Sequence, residues 1–130
     1  MSEDEIIEEE EEKKEMWSMD DLVGLTEEVM EEEIAFRGKS LSFQFCELTE
    51  KEEPKFTRTK FKDEEEQNDY FQKVGSERVM KMIEKANKKN PDGITLDSVV
   101  WIKLPTTLKY TIANKVIGLE SEVSENFISG

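Results

Sequence analysis

The spacing of apolar residues changes period several times along this chain. Leu22, Leu25 and Val29 recur at helical spacing, with Val23 and Met30 alongside. Ser18 before them is a natural cap, and Asp20 and Asp21 suit the positive end of a helix dipole. The pattern predicts a short helix over 19–31, with Trp17 outside its start as a staple to the body. The period then becomes two. Ile34 and Phe36 alternate with Ala35 and Arg37, and beyond Gly38-Lys39 Leu41, Phe43 and Phe45 alternate with Ser42, Gln44 and Cys46. This predicts a β-hairpin at about 33–46, with Gly38 at the first central position of a type II′ turn. One face carries Ile34, Phe36, Leu41, Phe43 and Phe45, and Cys46 falls on the outward register. A lone hairpin is marginal in water, so helices or a partner must cover that face.

Thr49 and Glu52 have capping-box spacing, although Pro54 follows and restricts the backbone. The stretch "PKFTRTKFK" (residues 54–62) shows no regular element. From Asp63 a helical stripe runs through Tyr70, Phe71, Val74, Val79, Met82, Ile83 and Ala86. Gly75-Ser76 interrupts it, which predicts a kink or two helices, 64–74 and 77–88. "NPDG" (90–93) is a turn. Asp97-Ser98 caps a short buried helix through Val99, Val100, Trp101, Ile102 and Leu104, with a strand as the alternative. Pro105 opens a last helix whose inner face is Leu108, Ile112, Val116 and Leu119, and Gly118 is its expected stop. Val123, Phe127 and Ile128 are docking candidates beyond it. The sum is an α+β, mainly α fold: a hairpin packed with four to five helices in a single domain over 16–130.

Charge divides the chain unevenly. Its 130 residues carry 32 acidic and 18 basic side chains, a net of -14. Residues 1–33 hold 16 acids and two lysines, so the remainder is balanced at 16 acids and 16 basic residues. Residues 1–15 are almost all charge and predict an acidic, flexible arm that keeps the chain dispersed. The negative balance argues against broad nucleic-acid binding. The longest apolar run is far short of a membrane span, and the acidic start is unlike a secretory signal, which predicts a cytoplasmic protein. One cysteine excludes an internal disulfide, and the absence of histidine removes the commonest general base and metal ligand. No P-loop, dinucleotide fingerprint or CxxC pair is present, so the sequence nominates no catalytic residue, cofactor site or metal site, and no enzyme activity is expected.

Two stretches carry local chemistry. "PKFTRTKFK" interleaves cations with Phe56 and Phe61. It can stack on nucleic acid, pack as a link against the body, or meet the acidic arm. Acids on both sides of it repel phosphates and favour the link. The arm itself has a second reading, as a nucleic-acid mimic that inhibits a DNA-binding enzyme.

"AFRGKSLSFQFCELTEKE" (35–52) and "WIKLPTTLKYTIANKVIGL" (101–119) together give an early hairpin followed by "LT" and a late "LP" before an amphipathic helix. In this layout, over residues 19–119, the chain resembles the tail assembly chaperones of long-tailed bacteriophages and prophages, those of Gram-positive hosts above all. The resemblance implies a non-catalytic protein of the host cytoplasm. It would bind and solubilise the hydrophobic, helical tape-measure protein or another tail component while the tail assembles. It also implies a short form of a product often made in two lengths by ribosomal frameshifting. The apolar residues to offer such a client are Phe36, Phe43 and Phe45 on the hairpin, Tyr70 and Phe71 on the central stripe, and Leu108, Ile112 and Val116 on the last helix. Neither nucleic acid nor membrane is an expected partner, and self-association is left open. Six methionines suit an adaptable contact surface, but they suit an ordinary core better.

Overall fold

The computed structural model describes residues 16–129, with side chains described as far as Glu120. The arm expected at 1–15 lies outside the described residues, as do the side chains of Val123, Phe127 and Ile128. The element order is α1 (Met19–Gly24), β1 (Met30–Phe36), β2 (Lys39–Phe45), α2 (Glu64–Lys89), a 3-10 turn (Pro91–Gly93), α3 (Ser98–Trp101) and α4 (Thr106–Ser129). The fold is α+β and mainly α, with one antiparallel hairpin and four α-helices among the described residues.

The hairpin is longer than its apolar alternation suggested, 30–45 rather than 33–46. Met30 pairs with Phe45, Glu32 with Phe43 and Ile34 with Leu41, so one face carries all six of these residues. Cross-strand pairing therefore claims Met30 to Glu33, and the predicted helix 19–31 is confined to Met19–Gly24. Ser18 caps that helix as expected: the Asp21 N–H donates to Ser18 Oγ at 3.0 Å. Trp17 staples nothing and is 55% exposed. The turn is also displaced by one residue. Its central pair is Arg37-Gly38, with φ of 51° and 79°, a type I′ geometry in place of the expected II′. Arg37 takes the first left-handed position and lays its guanidinium 5.1 Å from the centre of the Phe36 ring.

β2 lies on α2. Phe43 and Phe45 enter one cluster with Val79, Met82 and Ile83 of α2, Trp101 of α3, and Leu108, Ile112 and Val116 of α4. The opposite face of β2 is covered too, at its end. Gln44 Nε2 donates to Asn87 Oδ1 (3.0 Å) and to the Asn90 carbonyl (2.9 Å). Asn90 Nδ2 donates back to Gln44 Oε1 at 3.0 Å, and Asn87 Nδ2 donates to the Leu96 carbonyl at 2.9 Å. Cys46 is consequently fully buried rather than outward, and its N–H donates to the Met82 carbonyl at 3.0 Å.

Both glycine breaks expected in the helices are absent. α2 is continuous through Gly75-Ser76: Ser76 is buried, and a Cβ on Gly75 would lie 3.9 Å from Ile117 Cδ1 of α4. That is ordinary van der Waals contact, so an alanine would fit, and the helix simply carries the ~1 kcal/mol cost of glycine. α4 likewise runs through Gly118 to Ser129. Residues 49–53 form a turn, not a helix. The Glu52 and Glu53 N–H groups donate to the Thr49 carbonyl before Pro54 ends the run. α3 is the short helix expected after the Asp97 cap, but it is not buried as a whole. Trp101 is inside, whereas Val99, Val100 and Ile102 are exposed.

A Cβ on Gly93 would stand 2.5 Å from Gln44 Oε1 and would also strike the Asn90 amide. Gly93→Ala is therefore expected to break the Gln44–Asn90 exchange and cost ~1–3 kcal/mol in urea unfolding. Phe43→Ala, which empties a core position, is expected to cost ~3–5 kcal/mol. A neutral Gly93→Ala would mean that the network is not under packing constraint.

Candidate partner-binding surface

α2 and α4 meet along a shallow groove of about 320 Å³. α2 contributes Asn68, Phe71, Gln72 and Gly75; α4 contributes Tyr110, Ala113, Asn114 and Ile117. Each set repeats at i, i+3, i+4 and i+7, the spacing of one helix face. Gly75 and Ala113 keep the floor low, and Phe71 and Ile117 rise at the sides, each 43% exposed. The polar lining residues are neutral amides, so an apolar segment seated there meets hydrogen-bonding groups without fixed charge.

The basic stretch 54–62 borders this groove. Phe56 meets Phe71 edge-on at 5.6 Å, and Phe61 lies 5.8 Å from Phe71 and 5.3 Å from Tyr70. The Thr57 and Arg58 N–H groups donate to the Tyr70 hydroxyl at 2.8 and 3.3 Å. Hydrogen bonds from Thr57 hold the Tyr70 phenol below its ordinary pKa. Arg58 pairs with Glu66 and lies over the Phe61 ring. The stretch is thus a link packed on the body through its aromatic side chains. Phe56 remains 63% exposed.

The residues that the sequence offered to a client separate into two groups. Phe43, Phe45, Leu108, Ile112 and Val116 are core residues, and a partner could touch them only by opening the fold. Phe36 and Tyr70 are half-buried, and Phe71 alone of the eight stands in the groove. Sequence reasoning did not nominate Gly75, Tyr110, Ala113 or Ile117. Tyr110, Ala113 and Ile117 form a second helical stripe beside Leu108, Ile112 and Val116, and that stripe was the available signal. Other exposed apolar side chains lie on α1 (Leu22, Val23) and on or beside α3 (Val99, Val100, Ile102).

A half-buried charge cluster fixes α4 beside α2. Arg78 Nε donates to Glu53, and Arg78 Nη1 and Nη2 donate to the two Glu120 oxygens at 2.8 and 2.9 Å. This fork is the bidentate geometry that makes arginine–carboxylate pairs specific. Burial opposes the Glu120 charge, but the Arg78 hydrogen bonds outweigh it and hold that carboxyl below the usual range. Glu47 faces the same cluster. Burial, then its hydrogen bond to Glu120 and the charge of that group, push Glu47 up to about 7. Lys85 acts oppositely on Glu52: its hydrogen bond, followed by that of the Thr49 N–H, pulls Glu52 down to about 2.

Among the described residues no group of three or more side chains is arranged to hold a metal ion, and no helix is long and apolar enough to cross a membrane. No family model matches the chain, and no curated protein or solved structure is significantly similar to it.

The raised Glu47 carboxyl sets a pH dependence. Protonated Glu47 stabilises the fold fully below pH 4.5, and that contribution is lost as pH rises through about 7. The depressed Glu52 works in a lower window, losing its contribution as pH falls from 4.5 through about 2. Stability from urea unfolding should therefore fall between pH 5 and 8 in the wild type. Glu47→Gln should flatten this slope, since the amide keeps a donor toward Glu120 and does not ionise. Parallel pH profiles for the two proteins would remove Glu47 as the cause.

Proposed function

We propose that this protein is a tail assembly chaperone of a long-tailed bacteriophage or prophage, working in the host cytoplasm. In this role it receives an apolar helical segment of the tape-measure protein. The observation that carries the reading is the α2–α4 groove. It is an amide-lined apolar channel with helix-face spacing on both walls, and it is open without disturbing the core side chains Phe43, Phe45, Leu108, Ile112 and Val116. A client helix laid there would bury Phe71, Tyr110 and Ile117 by helix-in-groove packing. The balanced charge of residues 34–130 leaves that contact free of strong repulsion, while the acids of 1–33 keep the loaded complex dispersed.

Co-expression with a candidate tape-measure protein tests the proposal. The expected result is a larger soluble fraction of the client and co-elution of the two chains. Phe71→Asp with Ile117→Asp should abolish co-elution. Phe71 also packs on Phe56, Phe61 and Tyr70, so the double variant is expected to lose ~1–3 kcal/mol in urea unfolding while staying folded, and its binding is read under conditions where it is folded. A client that stays insoluble, or a double variant that binds as well as wild type, would contradict the proposal. A nucleic-acid mimic predicts instead that binding resides in residues 1–15 and is indifferent to the groove.

A further inference from the structure

We infer that the basic loop 54–62 is the docking face for the chain's own N-terminal leader, residues 3–12, within the same molecule. The loop carries Lys55, Arg58, Lys60 and Lys62 without an intervening acid. Arg58 is engaged with Glu66, but Lys55, Lys60 and Lys62 are exposed and have no ion-pair partner among the described residues. Between these cations stands Phe56, 63% exposed, in edge contact with Phe71. The leader has the matching order. Glu3, Asp4 and Glu5 precede Ile6-Ile7, and Glu8 to Glu12 follow. An apolar pair between two acidic runs thus meets an aromatic residue between lysines.

Reach permits the contact. The chain is tied to the body where Glu27 pairs with Lys89. Phe71 lies 18 residues before Lys89 on α2, ~27 Å along the helix axis. Twenty residues separate Glu27 from Ile7, and a chain of that length, with only Met19–Gly24 helical among its described residues, can bridge that distance at up to ~3.3 Å per residue. Most lysines nearer the anchor are occupied, with Lys88 the exposed exception among the described residues. Lys85 and Lys89 are paired with Glu52 and Glu27, and Lys81 donates to the Glu52 carbonyl. Asp63, Glu64 and Glu65 follow the loop at the start of α2 and repel the leader, which confines the contact to the Lys55–Lys62 side. Docked there, Ile6-Ile7 covers Phe56 beside Phe71, at one wall of the groove. That consequence for client binding rests on the groove reading; the contact itself does not.

Zero-length carbodiimide cross-linking of the full chain, followed by peptide mass spectrometry, tests it without any client. Cross-links from Glu3–Glu12 to Lys55, Lys60 and Lys62 are expected in the monomer band. Their yield should fall about fivefold or more at ~0.5 M salt, where exposed charges are screened. Ile6→Ser with Ile7→Ser should lower the yield in the same way at low salt, with unfolding unchanged. Cross-links spread over Lys73, Lys81 and Lys88, or found solely between light and heavy chains in an isotope mixture, would overturn the proposal. So would a yield insensitive to both salt and the isoleucine changes. Failure of this experiment leaves the groove untouched, and failure of client binding leaves the cross-links untouched.

Discussion

Burial of the aromatic face of β2 against α2 organises this fold. Phe43 and Phe45 enter the cluster of Val79, Met82 and Ile83, while Gln44 on the other face hydrogen-bonds to Asn87 and Asn90 near the end of the same helix. The Cys46 N–H then donates to the Met82 carbonyl, so the strand is tied to α2 by apolar contact, side-chain amides and backbone together. An apolar face alone tolerates sliding; the amide network gives the hairpin one register on the helix. α4 closes over the remaining side with Leu108, Ile112 and Val116.

The surface follows from what that core consumes. α2 is long enough that its C-terminal half packs on the hairpin while its N-terminal half, near Phe71 and Gly75, faces α4 and the basic loop. There Gly75 lies opposite Ile117 of α4, and Phe71 and Ile117 stay partly in solvent. Just past the midpoint of α2, the Arg78–Glu120 fork and Glu53 hold α4 beside it. The groove is therefore a product of the same helix pairing that seals the core, not a gap in it.

Much of this architecture was legible in the sequence, because periodicity reports which side of an element faces the core. The hairpin, the α2 stripe from Asp63 and the α4 inner face follow from it, and residue type adds the Asp97 cap. The misreadings have shared causes. Glycine was taken as a stop at Gly75 and Gly118, where plain helix continuity overrides a penalty of ~1 kcal/mol. Met30 and Glu31 were assigned to a helix because their strand partners, Phe45 and Gln44, lie across a turn that local spacing does not encode. Gln44 and Cys46 were placed in solvent because alternation assumes one covered face, and here the end of β2 is covered on both. The site was less legible for the same reason. The largest apolar residues were offered as contact residues, yet size and regular spacing mark the core first. The second stripe, Tyr110, Ala113 and Ile117, was visible but weaker.

Amide hydrogen exchange, with and without a saturating apolar helical segment of the tape-measure protein, tests the central claim most directly. The account predicts added protection on α2 near Phe71 and Gly75 and on α4 from Tyr110 to Ile117, with exchange at Phe43, Phe45 and Met82 unchanged. Faster exchange in the hairpin on client binding, or protection that bypasses α2 and α4, would contradict it.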